Sequence, residues 1–524
     1  MIYNDPVGAS STLALFHSVP TVHVVTVDGL AIKTYIASQG AAATASIAQA
    51  VVVFNAPAPL TASFSSRGPL RAGNGDLLKP DIIAPGQDIL ASVAPPDNFG
   101  RNFDLYSGTS MSSPHVAGLA ALLTELHPTW SPMAKKSALM TTAYDLLDGV
   151  PGLEAHPTVL FRGGAGHVNP LKAADPGLVY DHGFNDWLAF LCGTVGLSAT
   201  TCTALQGLGY SLDPSDLNVP SIAVGDLAGR QTVRRRVTNV GSGPATYRAS
   251  VQDMAGFSVA TSPSTITLNP GQSANFTVTL TRNTGTLNQY AFGNGGFLIW
   301  TEDGGAGRKV RIPMVARPVA LAAPAQVAGA GESISYGIVF GYDGAFAAGA
   351  RGLIPASLSP ATVADDPTNG ACSLTTPNAY KEVVAIAAGT TYARFSLFDD
   401  FTDGNDDLDM CVFNSANALV GGSGSGTSAE EVNLVNPAAD NYTVVVQGWQ
   451  TDGPDAQFTL FKWLLGSAAA GNMTVTAPTS ATTGGTGTIT LDFTGLAAGT
   501  KYLGSVAYSG IAGLPNPTIV RVDP

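Results

Sequence analysis

A serine lies in a glycine-containing turn shortly before a proline, in the segment GTSMSSPHVAG that covers Gly108 to Gly118. The proline predicts the first turn of a helix. The N–H groups and the positive dipole end of that helix would then point toward any negative charge that forms on Ser110. The oxyanion produced when a hydroxyl attacks a peptide carbonyl is such a charge. The ordinary alternative is a serine that only caps the helix. Ser110 is therefore a candidate nucleophile for acyl transfer.

The full string around Ser110 is similar to the serine signature of the subtilisin-like protease family, and other segments agree with it. SFSSRGP and LKPDIIAPG resemble the segments that precede the serine in that family. Later segments similar to the plant-type branch are WSPMAKKSALMTTA, GAGHVNPLKAADPGLVYD, FLC, DLNVPSIAV and RRRVTNVG. The resemblance covers residues 1 to about 316. It implies that Ser110 is the acylating nucleophile and that its backbone N–H forms part of the oxyanion hole.

The resemblance also implies that this chain lacks the other catalytic residues. The family order is Asp, His, an oxyanion Asn, an inserted protease-associated domain and then Ser, so the first three are expected before residue 1. His115 lies about 140° around a helix from Ser110 and cannot face its hydroxyl. His17, His23 and Asp28 do not have the family's sequence context for a base or its partner. Because losing such residues lowers kcat by about 10⁴ to 10⁶, we expect the chain alone to be nearly inert.

Composition favours an extracellular protein. The chain has 524 residues, a formal charge of -13 and only 12% charged residues, so a surface that binds nucleic acid is not expected. No apolar window is long enough to span a bilayer, and the first residues do not read as a signal peptide. Four cysteines allow three pairings or free thiols; their positions favour Cys192 with Cys202 and Cys372 with Cys411. Two disulfides would require an oxidising compartment, so we predict a secreted protein whose sequence begins inside a longer chain.

The pattern of elements predicts a multidomain fold, in which an incomplete α/β catalytic domain precedes two or three β-sandwiches. The catalytic part would be a parallel sheet with helices on both faces, including the strand AVVVF and helices from Pro114 to Leu126 and from Ser131 to Thr142. A turn at Asp28-Gly29 and a short helix over 31–37 are expected before it. The predicted domains are residues 1–45, the C-terminal half of a protease-associated domain; 46–212, the C-terminal part of the catalytic domain; 213–318, a fibronectin type III-like sandwich; and 319–524, a C-terminal sandwich region.

Within the last region, residues 391–463 are similar to pre-peptidase C-terminal domains of secreted bacterial proteases. The aspartates between Asp399 and Asp409 offer oxygen ligands of the kind that Ca²⁺ prefers, but Phe401 breaks the EF-hand spacing. A solvated acidic loop is the simpler interpretation, so no metal site and no cofactor is predicted. The openings of segments 323–344 and 477–495 are loosely alike, which weakly suggests paired modules.

The function predicted for the intact parent protein is serine endopeptidase activity on protein or peptide substrates, through an acyl-enzyme on Ser110. A noncatalytic protease remnant, whose β-domains bind a surface or a polymer, is the alternative. The sequence does not reveal the side-chain preference or the oligomeric state.

Overall fold

A computed structural model describes residues 2–3, 12, 14–15, 17–49, 51, 57–70, 72–148, 159–194, 196–283, 295–305 and 307–524. The chain forms two compact units, Met1–Val319 and Ala320–Pro524. Among the residues just given, no helix has the length and apolar character needed to cross a bilayer.

The first unit begins with two short parallel strands, β1 (Ile2–Tyr3) and β2 (His23–Val24), followed by helix α1 (Thr26–Gln39). The turn predicted at Asp28-Gly29 is wrong, because both residues lie in the first turn of α1. A carboxylate is favourable there because it faces the positive end of the helix dipole. The helix predicted over 31–37 is the central part of α1.

Helices dominate the next part of the first unit, where β3 and β4 form an antiparallel hairpin and β5 joins a sheet of the sandwich that follows. The elements are β3 (Ile89–Ser92), β4 (Phe103–Tyr106), α2 (Thr109–Leu126), α3 (Pro132–Thr141), α4 (Leu160–Gly163), α5 (Pro170–Ala173), β5 (Leu178–Val179), α6 (Phe184–Thr194) and α7 (Ala199–Gly207). Most of the predicted strand AVVVF lies outside the described residues. The predicted disulfide Cys192–Cys202 is confirmed and joins α6 to α7.

The start of α2 differs from the prediction. The helix begins at Thr109, so Pro114 is its sixth residue rather than its opening residue. A proline in that position has no N–H to donate to the carbonyl four residues earlier, which belongs to Ser110. The helix ends where expected, with His127 N–H donating to the Leu123 carbonyl at 2.8 Å before Pro128. Ser131 caps α3 by accepting a hydrogen bond from Ala134 N–H at 2.9 Å.

Eight strands among the described residues between Ile222 and Pro318 form most of the first sandwich. Its strands are β6 (Ile222–Leu227), β7 (Arg230–Asn239), β8 (Ala245–Gln252), β9 (Phe257–Ser262), β10 (Thr265–Leu268), β11 (Ser273–Arg282), β12 (Gly296–Glu302) and β13 (Lys309–Pro318). They form the sheets β10-β8-β12-β13-β6 and β5-β7-β11-β9. One continuous apolar core, which includes Trp300, Leu298 and Phe276, lies between the two sheets.

The helical part packs directly on this sandwich. β5 pairs antiparallel with β7, and Leu178 and Tyr180 enter the sandwich core. From β13, Arg311 Nη2 donates to the carbonyls of Ala143 and Ala165 at 3.2 and 3.0 Å. The segment that contains α2 and α3 is therefore held against a well-packed β-domain.

The second unit contains two nested sandwiches. Its strands are β14 (Leu321–Ala322), β15 (Gln326–Gly329), β16 (Ile334–Phe340), β17 (Gly344–Ala345), β18 (Ala347–Pro355), β19 (Ser357–Ala364), β20 (Tyr380–Ile386), β21 (Tyr392–Ser396), β22 (Asp407–Phe413), β23 (Leu419–Ser423), β24 (Glu431–Val435), β25 (Asp440–Gln450), β26 (Asp455–Leu465), β27 (Met473–Thr476), β28 (Ser480–Ala481), β29 (Thr486–Phe493), β30 (Tyr502–Ser509) and β31 (Thr518–Val522). The outer sandwich contains sheets β14-β16-β29-β27 and β15-β31-β30-β18, and the inner one contains β19-β26-β21-β24 and β20-β25-β22-β23. The chain thus leaves the outer sandwich after β18 and returns to it at β27.

Three expectations from the sequence concern the second unit or the whole chain. The two segments with similar openings supply β16 and β29, which pair antiparallel inside one sheet rather than forming separate modules. The second predicted disulfide, Cys372–Cys411, is confirmed within the inner sandwich. The multidomain fold class, in which a part rich in helices precedes β-sandwiches, is also confirmed. The parallel sheet predicted for the first of these parts is not seen among its described residues, where β3 pairs antiparallel with β4 and β5 pairs antiparallel with β7.

Candidate functional site

Ser110 is an exposed residue in the first turn of α2, directly after the N-cap residue Gly108 and Thr109. Among the described residues, its hydroxyl has no hydrogen-bond partner. Its backbone N–H is one of the first N–H groups of the helix, which have no acceptor within the helix itself. The hydroxyl and a free donor therefore lie together at the positive end of an 18-residue helix.

The loop Ala84–Gly86 holds the start of α2 in place. Gly108 N–H donates to the Gly86 carbonyl at 2.8 Å, and Ser112 Oγ donates to the Ala84 carbonyl at 2.8 Å. A Cβ atom on residue 86 would lie 2.9 Å from the Gly108 carbonyl oxygen, so this close approach requires glycine. The APG of the upstream segment LKPDIIAPG is thus a support for the serine turn.

An aspartate in the same upstream segment anchors that loop to α3. Asp81 Oδ2 lies 2.6 Å from Lys79 Nζ and 3.0 Å from Lys136 Nζ. Burial alone would raise the pKa of Asp81, but the two ammonium groups outweigh it and hold the pKa below its ordinary value. Sequence reasoning missed the contact between Asp81 and Lys136; its signals were an aspartate before an apolar stretch and two consecutive lysines in the helix predicted over 131–142.

A second set of hydrogen bonds fixes the hairpin that leads into the turn. Asp88 N–H donates to Ser107 Oγ at 2.7 Å, and that hydroxyl donates to Asp88 Oδ1 at 3.1 Å. Asp88 has φ 54°, in the left-handed region that aspartate tolerates better than most residues. The same carboxylate accepts Ala14 N–H at 2.8 Å, which ties the N-terminal segment to this loop.

The residues of this chain that were weighed as catalytic partners of Ser110 make their contacts with other groups. His115 Nδ1 is hydrogen-bonded to the Met111 carbonyl of its own helix at 2.8 Å. His17 and His23 contact each other through their Nε2 atoms, and Asp28 lies in α1. Within the described part of the chain, none of these four forms a hydrogen bond to Ser110. The arrangement brings together a candidate nucleophile and a candidate oxyanion donor, and none of these four residues is in position as its base.

The acidic stretch of the second unit is not uniformly solvated. Asp406 is buried, and its Oδ1 accepts Asp452 N–H at 3.0 Å. Burial raises the pKa of Asp406, Asp407 and Asp409; for Asp409, the nearby carboxylates of Asp407 and Glu430 add to the effect and the pKa is about 6. No group of three or more His, Cys, Asp or Glu side chains suited to a metal ion is found in the portion that the structure describes.

Comparison with known proteins agrees with the motifs. Residues 10–166 match the model of the subtilase family, and residues 216–316 match a fibronectin type-III domain. The chain is 41% identical over 290 residues to the subtilisin-like protease SBT2.5 of Arabidopsis thaliana, covering 50% of this chain and 34% of that protein. It is 36% identical over 339 residues to SBT5.4 of the same plant, covering 60% and 42%.

The chain thus spans about a third of the length of SBT2.5. A solved structure of tripeptidyl peptidase 2 aligns with 79% of this chain and 46% of its own at 11% identity, but the TM-score of 0.21 supports no inference. The subtilase match begins inside residues 1–45, and the protease-associated half-domain predicted there stays a prediction.

Proposed function

From the premise that residues 10–166 are a subtilase segment followed by a fibronectin type-III domain, we propose that this chain is part of a secreted serine endopeptidase. Ser110 is the acylating nucleophile, and protein or peptide chains are the substrates. The observation that supports this most directly is the exposed Ser110 hydroxyl at the N-terminus of α2, beside an N–H group that has no acceptor within the helix.

The proposed reaction is peptide-bond hydrolysis in two steps. Ser110 Oγ attacks the scissile carbonyl carbon while a histidine base takes the hydroxyl proton, and the Ser110 N–H donates to the oxyanion that forms. The C–N bond then breaks, and the same histidine returns the proton to the leaving amine. Water hydrolyses the acyl-enzyme and regenerates the serine. The fibronectin type-III domain supports the segment that positions the nucleophile.

The histidine, the aspartate that orients it and an oxyanion asparagine are assigned to parts of the protein other than residues 1–524. In support, the histidines near Ser110 in sequence or in the N-terminal segment are engaged in other contacts. A serine without its base is a weak nucleophile. The chain alone is therefore expected to hydrolyse peptides 10⁴ to 10⁶ times more slowly, as an order of magnitude, than a complete enzyme.

The first experiment compares purified chain 1–524 with its Ser110→Ala variant on fluorescent casein. Both should remain at background. Hydrolysis that disappears in Ser110→Ala would contradict the assignment of the base to another part of the protein. It would require a base among residues 1–524.

The second experiment tests Ser110 in a longer protein that includes upstream coding sequence. A fluorophosphonate probe should label that protein, and Ser110→Ala should abolish labelling. Ser113→Ala is the matched control, because Ser113 is another exposed serine near the start of the same helix and should leave labelling unchanged. If the in-frame upstream sequence contains no Asp, His and Asn in subtilase contexts and no labelling occurs, the noncatalytic binding remnant becomes the better explanation.

A further inference from the structure

Two histidines of the N-terminal segment meet outside the candidate active site. The Nε2 atoms of His17 and His23 lie 2.8 Å apart, and the ring centroids are separated by 5.1 Å. His17 is exposed and His23 is partly exposed, so both rings are accessible from solvent. Neither residue belongs to the machinery assigned to Ser110.

The backbone on both sides of the pair is fixed by contacts of its own. His23 lies in β2 and is the register partner of Ile2 in β1. On the other side, Ala14 N–H donates to Asp88 Oδ1 at 2.8 Å. Between the two histidines, Thr21 Oγ1 donates to the Val19 carbonyl at 2.9 Å and shapes the connecting loop. The two rings are thus brought together by the chain around them.

A hydrogen bond between the two imidazole rings is too weak to explain by itself why His17 and His23 lie together at the protein surface. A typical hydrogen bond contributes only about 0.5–1.5 kcal/mol net, because water replaces it in the open state. By contrast, two imidazole nitrogens held together lose little freedom when one ion binds both. A zinc ion with Zn–N distances of about 2.0–2.1 Å and tetrahedral angles needs the two nitrogens about 3.3 Å apart. From their present positions the two nitrogens need to separate by about half an ångström, and the rings need to tilt so that both Nε2 lone pairs point toward the ion.

We infer that His17 and His23 form a two-histidine site for a divalent transition-metal ion of the Zn²⁺, Ni²⁺ or Cu²⁺ class. Imidazole nitrogen suits these ions, whereas Ca²⁺ and Mg²⁺ prefer oxygen ligands. Among the described residues, the side chains assigned to this site are the two imidazoles. The metal ion binds imidazole nitrogens that carry no proton. A bound ion would join the two ends of the loop between His17 and His23.

Metal binding to the full chain tests the site without any measurement of protease activity. Isothermal titration with Zn²⁺ is carried out on the unmodified chain and on His17→Gln and His23→Gln. The matched control is His115→Gln, since His115 is an exposed histidine on α2 whose Nδ1 is hydrogen-bonded to the Met111 carbonyl of the same helix. Each substitution in the pair should weaken the tightest Zn²⁺ binding by at least tenfold, and the control should not change it. A Ca²⁺ titration should be the same for all four proteins.

Electron paramagnetic resonance of the Cu²⁺-loaded chain provides the second measurement. The unmodified chain and His115→Gln should show two coordinating imidazole nitrogens, and each variant of the pair should show one fewer. Equal Zn²⁺ affinity in all four proteins would overturn the site. A spectrum with a single nitrogen that persists in both His17→Gln and His23→Gln would do the same. Because neither measurement involves Ser110, failure here would leave the proposed protease function unaffected.

Discussion

The helix that bears Ser110 and the sandwich that follows it differ sharply in how their apolar side chains are covered. Leu123 is the only residue of α2 that is buried, while Leu122 and Leu126 are 63% and 57% exposed. In the sandwich, Leu298 and Trp300 have no exposed surface. Both sheets that enclose the sandwich core lie among the described residues. By contrast, the described residues leave part of the apolar surface of α2 uncovered. If the proposed function is right, we expect the rest of the subtilase domain to cover that face.

The largest expected effect comes from the same substitution made in both regions. Leu298→Ala should lower the free energy of unfolding of the first unit by about 2–5 kcal/mol, because it removes buried methyl groups and leaves a cavity. Leu122→Ala should change it by less than about 0.5 kcal/mol, as expected for an exposed site. Urea denaturation, followed by tryptophan fluorescence, measures both. A loss above about 1.5 kcal/mol in Leu122→Ala would show that α2 is already covered in the isolated chain.

The two disulfides provide a smaller contrast, between the helical part and the inner sandwich of the second unit. Cys192–Cys202 joins residues 10 apart and Cys372–Cys411 joins residues 39 apart. In the chain-entropy model, bridges of these lengths stabilise by about 2.7 and about 3.9 kcal/mol, so the longer one should contribute about 1 kcal/mol more. Paired Cys→Ala variants, compared by thermal unfolding, test this. Burial of Cys411 increases the difference in the same direction. A larger loss from removing the shorter bridge would contradict the entropic account.

The strands of the first sandwich were predictable because buried and exposed residues alternate within each strand's own sequence. In β7, for example, Val233, Arg235 and Val237 are buried and alternate with exposed arginines. Arg235 is the exception to the apolar pattern, and its Nη1 and Nη2 donate to the carbonyls of Ser215 and Ser221. Alternation is a local property of the sequence, so a strand can be recognised from it without knowing which strands pair with it.

The start of α2 and the nesting of the second unit were not predictable, since both depend on distant residues. Pro114 suggested a helix start, yet the contact of Gly108 with Gly86 places the start at Thr109. β18 pairs with β30, although the whole inner sandwich lies between them in sequence. Neither strand has a sequence pattern that indicates this pairing. For the site, Ser110 was identified from its motif, while Asp81 and the His17–His23 contact required the structure. A contact between residues far apart in sequence has no short-range pattern.

The last contrast concerns pH and has the smallest expected effect. In the first unit, Asp76 Oδ1 accepts Gly225 N–H at 2.7 Å where the loop before the helices meets β6. Burial raises its pKa to about 7, and the carboxylates of Asp213 and Asp226 add to this against the opposing charge of Arg317. In the second unit, burial and neighbouring carboxylates raise the pKa of Asp409 to about 6.

Both aspartates hold their proton in the folded state at pH values where the unfolded chain has released it. The folded state therefore binds more protons than the unfolded state between about pH 4 and the raised pKa, and the free energy of unfolding must fall as pH rises through that range. The decline due to Asp76 should end near pH 7 and that due to Asp409 near pH 6. Asp76→Asn keeps an acceptor for Gly225 N–H but cannot titrate, so the slope between pH 6 and 7 should flatten for the first unit alone.

Thermal unfolding from pH 4 to pH 8 separates the two contributions, because Asp409→Asn should flatten only the transition of the second unit. Asp303→Asn is the control: it removes an ion pair with Arg248 at an exposed edge of the first sandwich and should leave both slopes unchanged. If the transition of the first unit still weakens between pH 6 and 7 in Asp76→Asn, the proton is held elsewhere. In that case the contact between Asp76 and β6 is not the reason that the first unit loses stability at a higher pH than the second unit.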